Sequence, residues 1–308
     1  MSPGTVRTGK GGATGAGALL VLGALVLLGA LSAACGERTP AAPATGPAHR
    51  IVSLTCAGTD VFAALGALDR LVAVEEDCPC AGTEGIAKVR NEDHPGKVTA
   101  INVESVLGLR PDAVLAKPDL RSAFEGRGLR VVYTLPEITY ENVPDLVRKV
   151  GDLLGRPADA EALLERMRSK EASLRARTKD LPRVSVYYEG TGIGGTVGSR
   201  SIIHAMIGLA GGRSIAGDVA KPSVSMTPEA IFAADPDVIV LGAFADAPEV
   251  IKARPGWDRL RAVREGRVFQ IPVARRAVSL GTPRCVDACE EMLLPWLHPE
   301  AAAPPGGR

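Results

Sequence analysis

The chain has 308 residues, with 36 lysines and arginines against 35 aspartates and glutamates, and its formal net charge is +1 at pH 7. This even balance argues against the basic surface that nucleic-acid-binding proteins need. Aromatic residues are scarce, at 5 Phe, 2 Trp and 4 Tyr, which argues mildly against a large haem pocket built on ring stacking.

The N-terminus has the pattern of a secretory signal peptide over residues 1–34. Arg7 and Lys10 precede an apolar run at residues 18–31. Because the run has about 14 residues and a helix needs roughly 20 to span a bilayer, it is typical of a signal peptide. It ends in LSAAC, which resembles a bacterial lipobox and predicts lipidation of Cys35. The alternative is ordinary signal cleavage nearby, with Cys35 left as a thiol.

Residues 35–49 are rich in proline and alanine and are predicted to form a flexible tether. Residues 50–155, the predicted N-terminal lobe, alternate strand-like runs (RIVSL, RLVAV, DAVLA, RVVYTL) with helical stretches (GTDVFAALGA, NVESVLGLR). Thr59 or Asp60 is the expected N-cap of the first helix. The alternation predicts a parallel α/β architecture.

Residues 142–180 break this alternation and have a helical pattern almost throughout. Pro157 suits a first helical turn, and neither glycine nor proline follows it before residue 181. We therefore predict a single helix of about 30 Å over residues 156–180. It connects the N-terminal lobe to a C-terminal lobe at residues 181–298, and residues 299–308 are predicted to be a disordered tail.

An internal repeat supports two lobes. ESVLGLRPDAVLA at residues 104–116 and EAIFAADPDVIVL at residues 229–241 both begin with glutamate and have Pro-Asp seven places later. The repeated unit is a helix, a Pro-Asp turn that stops it, and a buried strand. One copy in each half predicts a duplicated lobe plan.

Several residues with binding chemistry follow the predicted strands. In open α/β sheets the loops after the carboxyl ends of the strands face the ligand crevice. The residues expected in that cleft are Cys56, Cys78, Cys80 and His94 in the N-terminal lobe, and Tyr188, Glu189, Arg275, Arg276 and Cys285 in the C-terminal lobe.

The cysteines leave three interpretations open. In an oxidising compartment Cys56 can form a disulfide with Cys78 or Cys80. Alternatively, thiolates and a histidine bind a soft or borderline metal ion, or a ligated iron or cobalt centre. Two cysteines four residues apart on one helix suit such ligation better than a disulfide. The third interpretation is inert thiols. The candidate metal ligands are Cys56, Cys78, Cys80, His94, Cys285 and Cys289.

The other cleft candidates also have two readings each. Tyr188 either stacks on a planar ligand or packs in the core. Arg275 and Arg276 either pair with a carboxylate or phosphate of the ligand or are solvated at the surface. The glycine-rich residues 190–199 lack the Gly-Lys-Ser/Thr of a phosphate-binding loop and are predicted to be a flexible cleft loop.

Five stretches carry a family resemblance: RIVSLTCAGTDVFAALGALDRLVAV, NVESVLGLRPDAVLA, GLAGG, SMTPEAIFAADPDVIVLG and RPGWDRLRAVREGRVFQIP. In their order and spacing the chain resembles, over residues 50–297, the substrate-binding lipoproteins of ABC importers for cobalamin, haem and ferric siderophores. The resemblance implies an α/β fold of two Rossmann-like lobes with parallel sheets, joined by a single long helix.

The resemblance also implies a function. The protein would be a non-enzymatic receptor in the periplasm or at the cell surface, without a cofactor of its own and monomeric when not docked. It would capture a metal chelate in the interlobe cleft and deliver it to a permease, which works with its ATPase in the inner membrane. Glu104 and Glu229 would dock on permease arginines. The alternative for these two residues is the preference of a helix N-terminus for acidic side chains.

The number of cysteines departs from the usual pattern of that family, so other functions stay open. One alternative is a thiol-based protein that binds or senses metal ions on the same scaffold. Another is a redox protein in which His94 activates a cysteine nucleophile. A third is a receptor-like lipoprotein that acts as a sensor or scavenger without transporting.

Overall fold

The computed structural model describes residues 46–302 apart from residues 77, 79, 81, 90, 95, 96 and 191; for residues 91–100 and 302 it describes only the backbone. These residues belong to one structural unit, Pro43–Arg308. The predicted signal peptide, the lipidation site Cys35 and most of the predicted tether lie outside the described residues.

The N-terminal lobe is built on seven strands. They are β1 Ile51–Ser53, β2 Leu71–Glu75, β3 Ala87–Val89, β4 Asn91–His94, β5 Lys97–Ile101, β6 Ala113–Ala116 and β7 Val131–Tyr133. Five of them form a parallel sheet in the order β3-β2-β1-β6-β7, and β4 pairs with β5 antiparallel. All residues of β1 and β6 are buried, as expected for a parallel sheet that is covered on both faces.

Four helices pack on this sheet: α1 Cys56–Ala64, α2 Val103–Gly108, α3 Arg121–Phe124 and α4 Val143–Leu154. Short 3-10 turns occupy Leu68–Arg70, Pro118–Leu120 and Tyr140–Asn142. The predicted N-cap of α1 was wrong. Thr55 caps the helix by accepting a hydrogen bond from the Gly58 N–H at 3.5 Å, and Thr59 and Asp60 are buried inside it. Helix α1 therefore begins at Cys56, directly after β1.

A 22-residue helix, α5 Pro157–Thr178, connects the lobes. At 1.5 Å per residue it is about 33 Å long. Its buried face includes Leu164 and Leu174, which belong to one continuous core that runs from Ile51 in β1 to Ile203 in the C-terminal lobe. The two lobes are thus packed onto a shared helix and not merely tethered by it.

The C-terminal lobe repeats the plan with six strands. They are β8 Val184–Glu189, β9 Gly195–Val197, β10 Gly212–Ser214, β11 Ser223–Ser225, β12 Val238–Leu241 and β13 Val268–Gln270. Four form a parallel sheet in the order β10-β8-β12-β13, and β9 pairs with β11 antiparallel. The predicted α/β class, with parallel sheets in two lobes, is confirmed.

The helices of this lobe are α6 Ile202–Leu209, α7 Pro228–Ala234, α8 Pro248–Lys252, α9 Arg261–Arg264, α10 Cys285–Ala288, α11 Leu294–Leu297 and α12 Pro299–Ala302. A π-helical segment, Cys289–Leu293, makes α10 and α11 continuous, and 3-10 turns occupy Trp257–Arg259 and Val273–Ser279. The first four residues of the predicted disordered tail, 299–302, form helix α12.

The internal repeat has the same backbone geometry in both lobes. A non-glycine residue with positive φ follows each helix directly before the Pro-Asp turn: Arg110 at 47°, two residues after the end of α2, and Asp235 at 37°, the C-cap of α7. The aspartate of each Pro-Asp turn then binds the first strand of its lobe. Asp112 accepts from two backbone N–H groups just before β1, at 2.9 and 3.0 Å, and Asp237 accepts from the Ser185 N–H of β8 at 2.8 Å.

The end of the predicted tether is packed onto the N-terminal lobe. Ala48 is 2% exposed, and its N–H donates to the Leu153 carbonyl at 2.8 Å. The lobe thus begins before residue 50, because an alanine at this place fills the gap beside α4. Within the described part of the chain, no helix is long and apolar enough to cross a membrane.

Candidate ligand-binding site

A cavity of about 710 Å³, the interlobe cavity, has walls from both lobes. Most of its lining residues follow strands β1, β2, β6 and β7 of the N-terminal lobe and strands β12 and β13 of the C-terminal lobe; Glu75 is the last residue of β2, and Lys88 lies on β3. It therefore lies at the carboxyl ends of both sheets. The lining residues are Thr55, Cys56, Ala57, Glu75, Glu76, Cys78, Lys88, Lys117, Ile138, Phe244, Val273, Arg276 and Leu280.

Three cysteines come together on the N-terminal wall, and we call Cys56, Cys78 and Cys80 the cysteine cluster. Cys56 is the first residue of α1, and the other two lie in the loop after β2. Their exposures are 9%, 3% and 7%. The sulfurs of Cys78 and Cys80 are 2.9 Å apart, and the Cys80 sulfur lies 3.6 Å from the Cys56 carbonyl oxygen. Leu280 of the C-terminal lobe packs against the cluster.

The hydrogen bonds within the cluster shift the pKa values of the three thiols in different directions. Hydrogen bonds from Cys56 and Cys80 lower the pKa of Cys78 to about 3. Hydrogen bonding to Cys78, together with burial, raises the pKa values of Cys56 and Cys80. The arrangement therefore favours ionisation of Cys78 over ionisation of its two neighbours.

Charged side chains surround the cluster. The Cys56 sulfur lies 3.5 Å from Glu75 Oε2, and Lys117 Nζ lies 3.9 Å from Glu75 Oε1. From the C-terminal lobe, the guanidinium of Arg276 lies 5.2 Å from the ring centroid of Phe244. The charge of Arg276 opposes the rise in pKa of Cys56. The cavity thus combines cationic, anionic, apolar and sulfur groups.

Neither a disulfide nor a bare-ion site occurs among the described cysteines. None of the five is joined in a disulfide, and the Cys78–Cys80 separation exceeds the bonded S–S length of about 2.05 Å. Among the side chains that the structure describes, no group of three or more His, Cys, Asp or Glu is arranged to hold a metal ion. The described part of the chain therefore shows neither a disulfide nor a metal site built from the candidate ligands, and the side chain of His94, one of those candidates, lies outside it.

Two further cavities adjoin the interlobe cavity. One of about 480 Å³ shares Thr55, Lys117, Ile138 and Leu280 with it, and one of about 560 Å³ shares Ile138. Tyr188 lines the second, and burial raises its pKa. The Tyr188 ring thus lies in a cavity beside the interlobe cavity, and its role in ligand binding stays a prediction.

Cys285 and Cys289 lie in the core and not in the cleft where the sequence placed Cys285. Both are fully buried among apolar side chains of the shared core. Burial raises the pKa of Cys285 to about 12 and also raises that of Cys289. The Cys289 thiol donates to the Met206 carbonyl at 3.3 Å. These two thiols act as small apolar core residues.

Glu189 and Arg275 are also absent from the lining of the described cavities. Glu189 is fully buried at the end of β8, where Arg254 donates to both of its oxygens at 2.8 Å and the Tyr187 hydroxyl donates at 2.9 Å. Arg275 pairs with Glu291 on the surface. Its neighbour Arg276 faces the cavity instead.

Two predicted residues cannot be placed in the site. His94 ends strand β4, but its side chain lies outside the described residues. Cys35 also lies outside them. From the predicted set, Cys56, Cys78 and Arg276 line the interlobe cavity, Tyr188 lines the adjoining cavity of about 560 Å³, and Cys80 lies behind the wall.

The two repeated glutamates occupy equivalent positions. Glu104 and Glu229 are both the second residue of their helices, after the N-caps Asn102 and Thr227, and both are exposed. Glu104 pairs with Arg127 at 3.0 Å. Hydrogen bonds from its own N–H and from Thr227 lower the pKa of Glu229. Each lobe thus presents one carboxylate at the start of a matched helix.

Sequence reasoning missed several lining residues, among them Lys88, Lys117, Ile138, Phe244 and Leu280. A signal for two of them was present. Lys117 directly follows the strand of DAVLA, and Phe244 follows that of DVIVL within three residues. The rule that placed the cysteines at strand ends applied equally to them. Leu280 follows a 3-10 turn, for which the sequence has no comparable signal.

Comparisons with known proteins identify the family of the chain. Residues 51–274 match the family described as Periplasmic binding protein. The chain is 33% identical over 206 residues to a protein of Halobacterium salinarum named Cobalamin-binding protein, with 64% of this chain and 55% of that protein covered. It therefore spans only about half the length of that relative. It is 27% identical over 255 residues to a Bacillus subtilis protein named Uncharacterized ABC transporter substrate-binding lipoprotein YvrC, with 79% and 78% covered.

A solved structure shows the same fold. The Periplasmic heme-binding protein RhuT from Roseiflexus sp. RS-1 superposes with a TM-score of 0.70 at 21% identity, over 83% of this chain and 99% of that one. The family consists of binding proteins and not of enzymes, so the prediction of a non-enzymatic protein is confirmed at the level of the family. The match over residues 51–274 shows that the chain belongs to the periplasmic binding protein family.

Proposed function

We propose that the protein is the extracytoplasmic substrate-binding component of an ABC importer and that it captures a metal chelate in the interlobe cavity. The name of the Bacillus relative supports the transporter role, and the name of the Halobacterium relative supports cobalamin as the first ligand to test. Haem and ferric siderophores are the other ligands that the sequence resemblance implies.

The observation that carries this proposal is that one wall of the interlobe cavity is apolar and the opposite wall carries sulfur and charged groups. Phe244 and Val273 are 64% and 40% exposed, and both line the cavity. Large apolar side chains exposed within a concave site favour an apolar ligand surface. The opposite wall carries the cysteine cluster and charged groups. A chelate with an apolar body, polar substituents and a metal centre matches both walls.

The cleft is largely preformed. Besides the shared core along α5, two ion pairs connect the lobes. Arg284, just before α10, pairs with the buried Asp60 of α1. Arg200 of the C-terminal lobe lies 2.6 Å from Glu137 of the N-terminal lobe. These contacts limit hinge motion, so we expect ligand binding with little movement of the lobes.

The transport role requires delivery to a membrane permease. Lipidation of Cys35 would hold the receptor near that partner and raise its effective concentration there. Glu104 and Glu229, one on each lobe, would dock on cationic side chains of the permease. A monomeric receptor with two equivalent carboxylates fits a permease of two-fold symmetry.

The ligand can be tested by calorimetric titration of the full chain with aquacobalamin, haemin, a ferric hydroxamate siderophore, Zn²⁺ and Cu⁺. We expect one chelate to bind with a Kd on the order of 1 μM or lower and the bare ions to bind far more weakly. The variant Val273→Asp should weaken that binding because it places a carboxylate on the apolar wall.

Val250 offers a matched control, because it is 52% exposed in the same lobe and lies outside the cavity lining. Val250→Asp should bind as tightly as the wild type. Tight binding of Zn²⁺ or Cu⁺ without binding of any chelate would contradict the importer role and favour the thiol-based metal-ion protein.

A further inference from the structure

We propose that the Cys78 sulfur coordinates the metal of the bound chelate directly, so that the ligand is a macrocyclic chelate with an open axial position. This inference rests on the proposed function and narrows its ligand class. The bond forms when a lone pair of the sulfur replaces water or another weak ligand on the metal. No oxidation or reduction is involved.

The position of Cys78 is the first argument. It lines the interlobe cavity although its side chain is only 3% exposed, so its sulfur is presented from a fixed, largely desolvated wall. Cys56 lies beside it in the lining, and Cys80 lies behind, with its sulfur 2.9 Å from that of Cys78. Cys285 and Cys289, by contrast, are packed in the core away from the described cavities.

The neighbouring side chains hold this sulfur in place. Cys56 and Cys80 both hydrogen-bond it. Cys56 is itself positioned by Glu75, at 3.5 Å, and Glu75 by Lys117, at 3.9 Å. This chain of contacts resembles the outer-shell support that orients metal ligands in proteins. Cys56 and Cys80 are therefore positioning residues for Cys78.

The number of donors identifies the class of ligand. The described side chains do not form a group of three donors for a bare ion. A single sulfur can complete the coordination of a metal that brings its other ligands with it, as in haem proteins with an axial thiolate. A corrin or porphyrin leaves an axial position open, whereas a hexadentate siderophore saturates its iron. Thiolate is also a preferred ligand for soft and borderline metals.

The opposite wall suits the same ligand. Phe244 and Val273 present exposed apolar surface to the cavity from the C-terminal lobe. The guanidinium of Arg276 lies over the Phe244 ring, 5.2 Å from its centroid. A planar macrocycle would place one face toward the sulfur and the other toward these apolar groups. Its carboxylate or amide substituents would reach Arg276, Lys88 and Lys117.

X-ray absorption at the metal edge, on the reduced full-length protein loaded with aquacobalamin or haemin, tests the bond. We expect one sulfur neighbour at about 2.3 Å from cobalt or iron. Cys78→Ala should remove that neighbour, shift the visible spectrum of the chelate, and weaken binding by about 100-fold or more. Cys56→Ala and Cys80→Ala should keep the sulfur neighbour and weaken binding by about 10-fold.

Cys285→Ala is the matched control, because it removes a buried thiol outside the cavity. It should leave the spectrum and affinity of the bound chelate unchanged. Chelate binding by the wild type without a sulfur neighbour overturns this inference but leaves the proposed function standing. Binding of the ferric siderophore alone likewise overturns only this inference, whereas failure to bind aquacobalamin, haemin and the siderophore overturns both. The measurement on the wild type decides the question even where Cys78→Ala does not fold.

Discussion

Glu189 and Arg254 form a buried ion pair whose exposures are 0% and 9% for the two side chains. Both carboxylate oxygens accept from the guanidinium at 2.8 Å, and Arg254 also stacks on Trp257, at 4.8 Å from its ring centroid. Removal of the cation would leave a buried carboxylate without its countercharge. We expect Arg254→Ala to lower the free energy of unfolding by about 3–5 kcal/mol, measured by urea denaturation.

The double variant Glu189→Gln/Arg254→Ala is the control, because it also removes the negative charge of the Glu189 carboxylate, which the single variant leaves buried without a countercharge. It should recover at least about 1 kcal/mol of the loss. A single variant within about 0.5 kcal/mol of the wild type would show that water reaches Glu189 and that the pair contributes little.

His204 of α6 makes stability depend on pH. Burial lowers its pKa below the ordinary 6.5, although Asp218 and Glu141 partly oppose the shift. The unfolded chain therefore takes up this proton first as the pH falls below about 6.5. Stability from the neutral imidazole is fully present above that pH and is lost progressively below it, until the folded state is protonated too.

The corresponding variant is His204→Gln. Between pH 7.5 and pH 5.5 we expect the wild type to lose stability relative to this variant, by less than about 1.4 kcal/mol per pH unit. Paired urea titrations at the two pH values measure the difference, and the contribution of all other groups cancels. An equal change in both proteins would mean that His204 titrates as it does in the unfolded chain.

At the scale of elements, the repeat unit places a non-glycine residue at positive φ where each helix stops. Arg110 is exposed, and no hydrogen bond from its side chain is described. A left-handed conformation costs a residue with a Cβ roughly 1–2 kcal/mol, and glycine returns about 0.5–1 kcal/mol of that as unfolded-chain entropy. We expect Arg110→Gly to stabilise the protein by about 0.5–1 kcal/mol in urea denaturation.

The second copy of the repeat is the natural comparison. Asp235 has the same backbone geometry, but its Oδ1 accepts from the Arg261 N–H at 2.7 Å. Asp235→Gly removes that bond, worth about 1 kcal/mol, so its net effect should be near zero. Arg110→Ala keeps the Cβ and should not stabilise. Stabilisation by alanine equal to that by glycine would refute the backbone explanation.

The elements could be predicted because their signals are local. Apolar runs predicted strands β1, β6, β8 and β12. The absence of glycine and proline after Pro157 predicted helix α5. The N-cap of α1 was missed because Thr55, Thr59 and Asp60 are all good capping residues, and only the end of β1 decides between them. Because Thr55 is the N-cap, Cys56 is the first residue of α1.

The site was only partly predictable, because burial depends on which face of an element the other lobe covers. Strand ends located Cys56, Cys78 and Arg276 correctly at the cavity. Cys285 and Cys289 share a helix face with Met292 and Leu293, a spacing typical of a core stripe, but the sequence does not reveal which surface that stripe meets. The structure shows that it meets the shared core of α5 and α6.

At the scale of the whole molecule, each lobe presents one exposed carboxylate at a matched position, and the proposed function makes these two groups the contacts for a symmetric permease. We expect the double variant Glu104→Arg/Glu229→Arg to bind its chelate with unchanged affinity, because both residues are exposed and outside the cavity lining. Its stimulation of the permease ATPase in proteoliposomes should fall at least about tenfold, because like charges would then face each other at both contacts.

Charge reversal elsewhere provides the control. Glu125 and Glu265 are exposed glutamates, one on each lobe, for which the structure shows no ion pair among the described residues. Glu125→Arg/Glu265→Arg changes the net charge by the same amount and should stimulate the ATPase normally. Each single docking variant should lose less than the double variant, because the other carboxylate still docks. If both double variants lost activity equally, the effect would come from net charge, and the two glutamates would serve only their own helix N-termini.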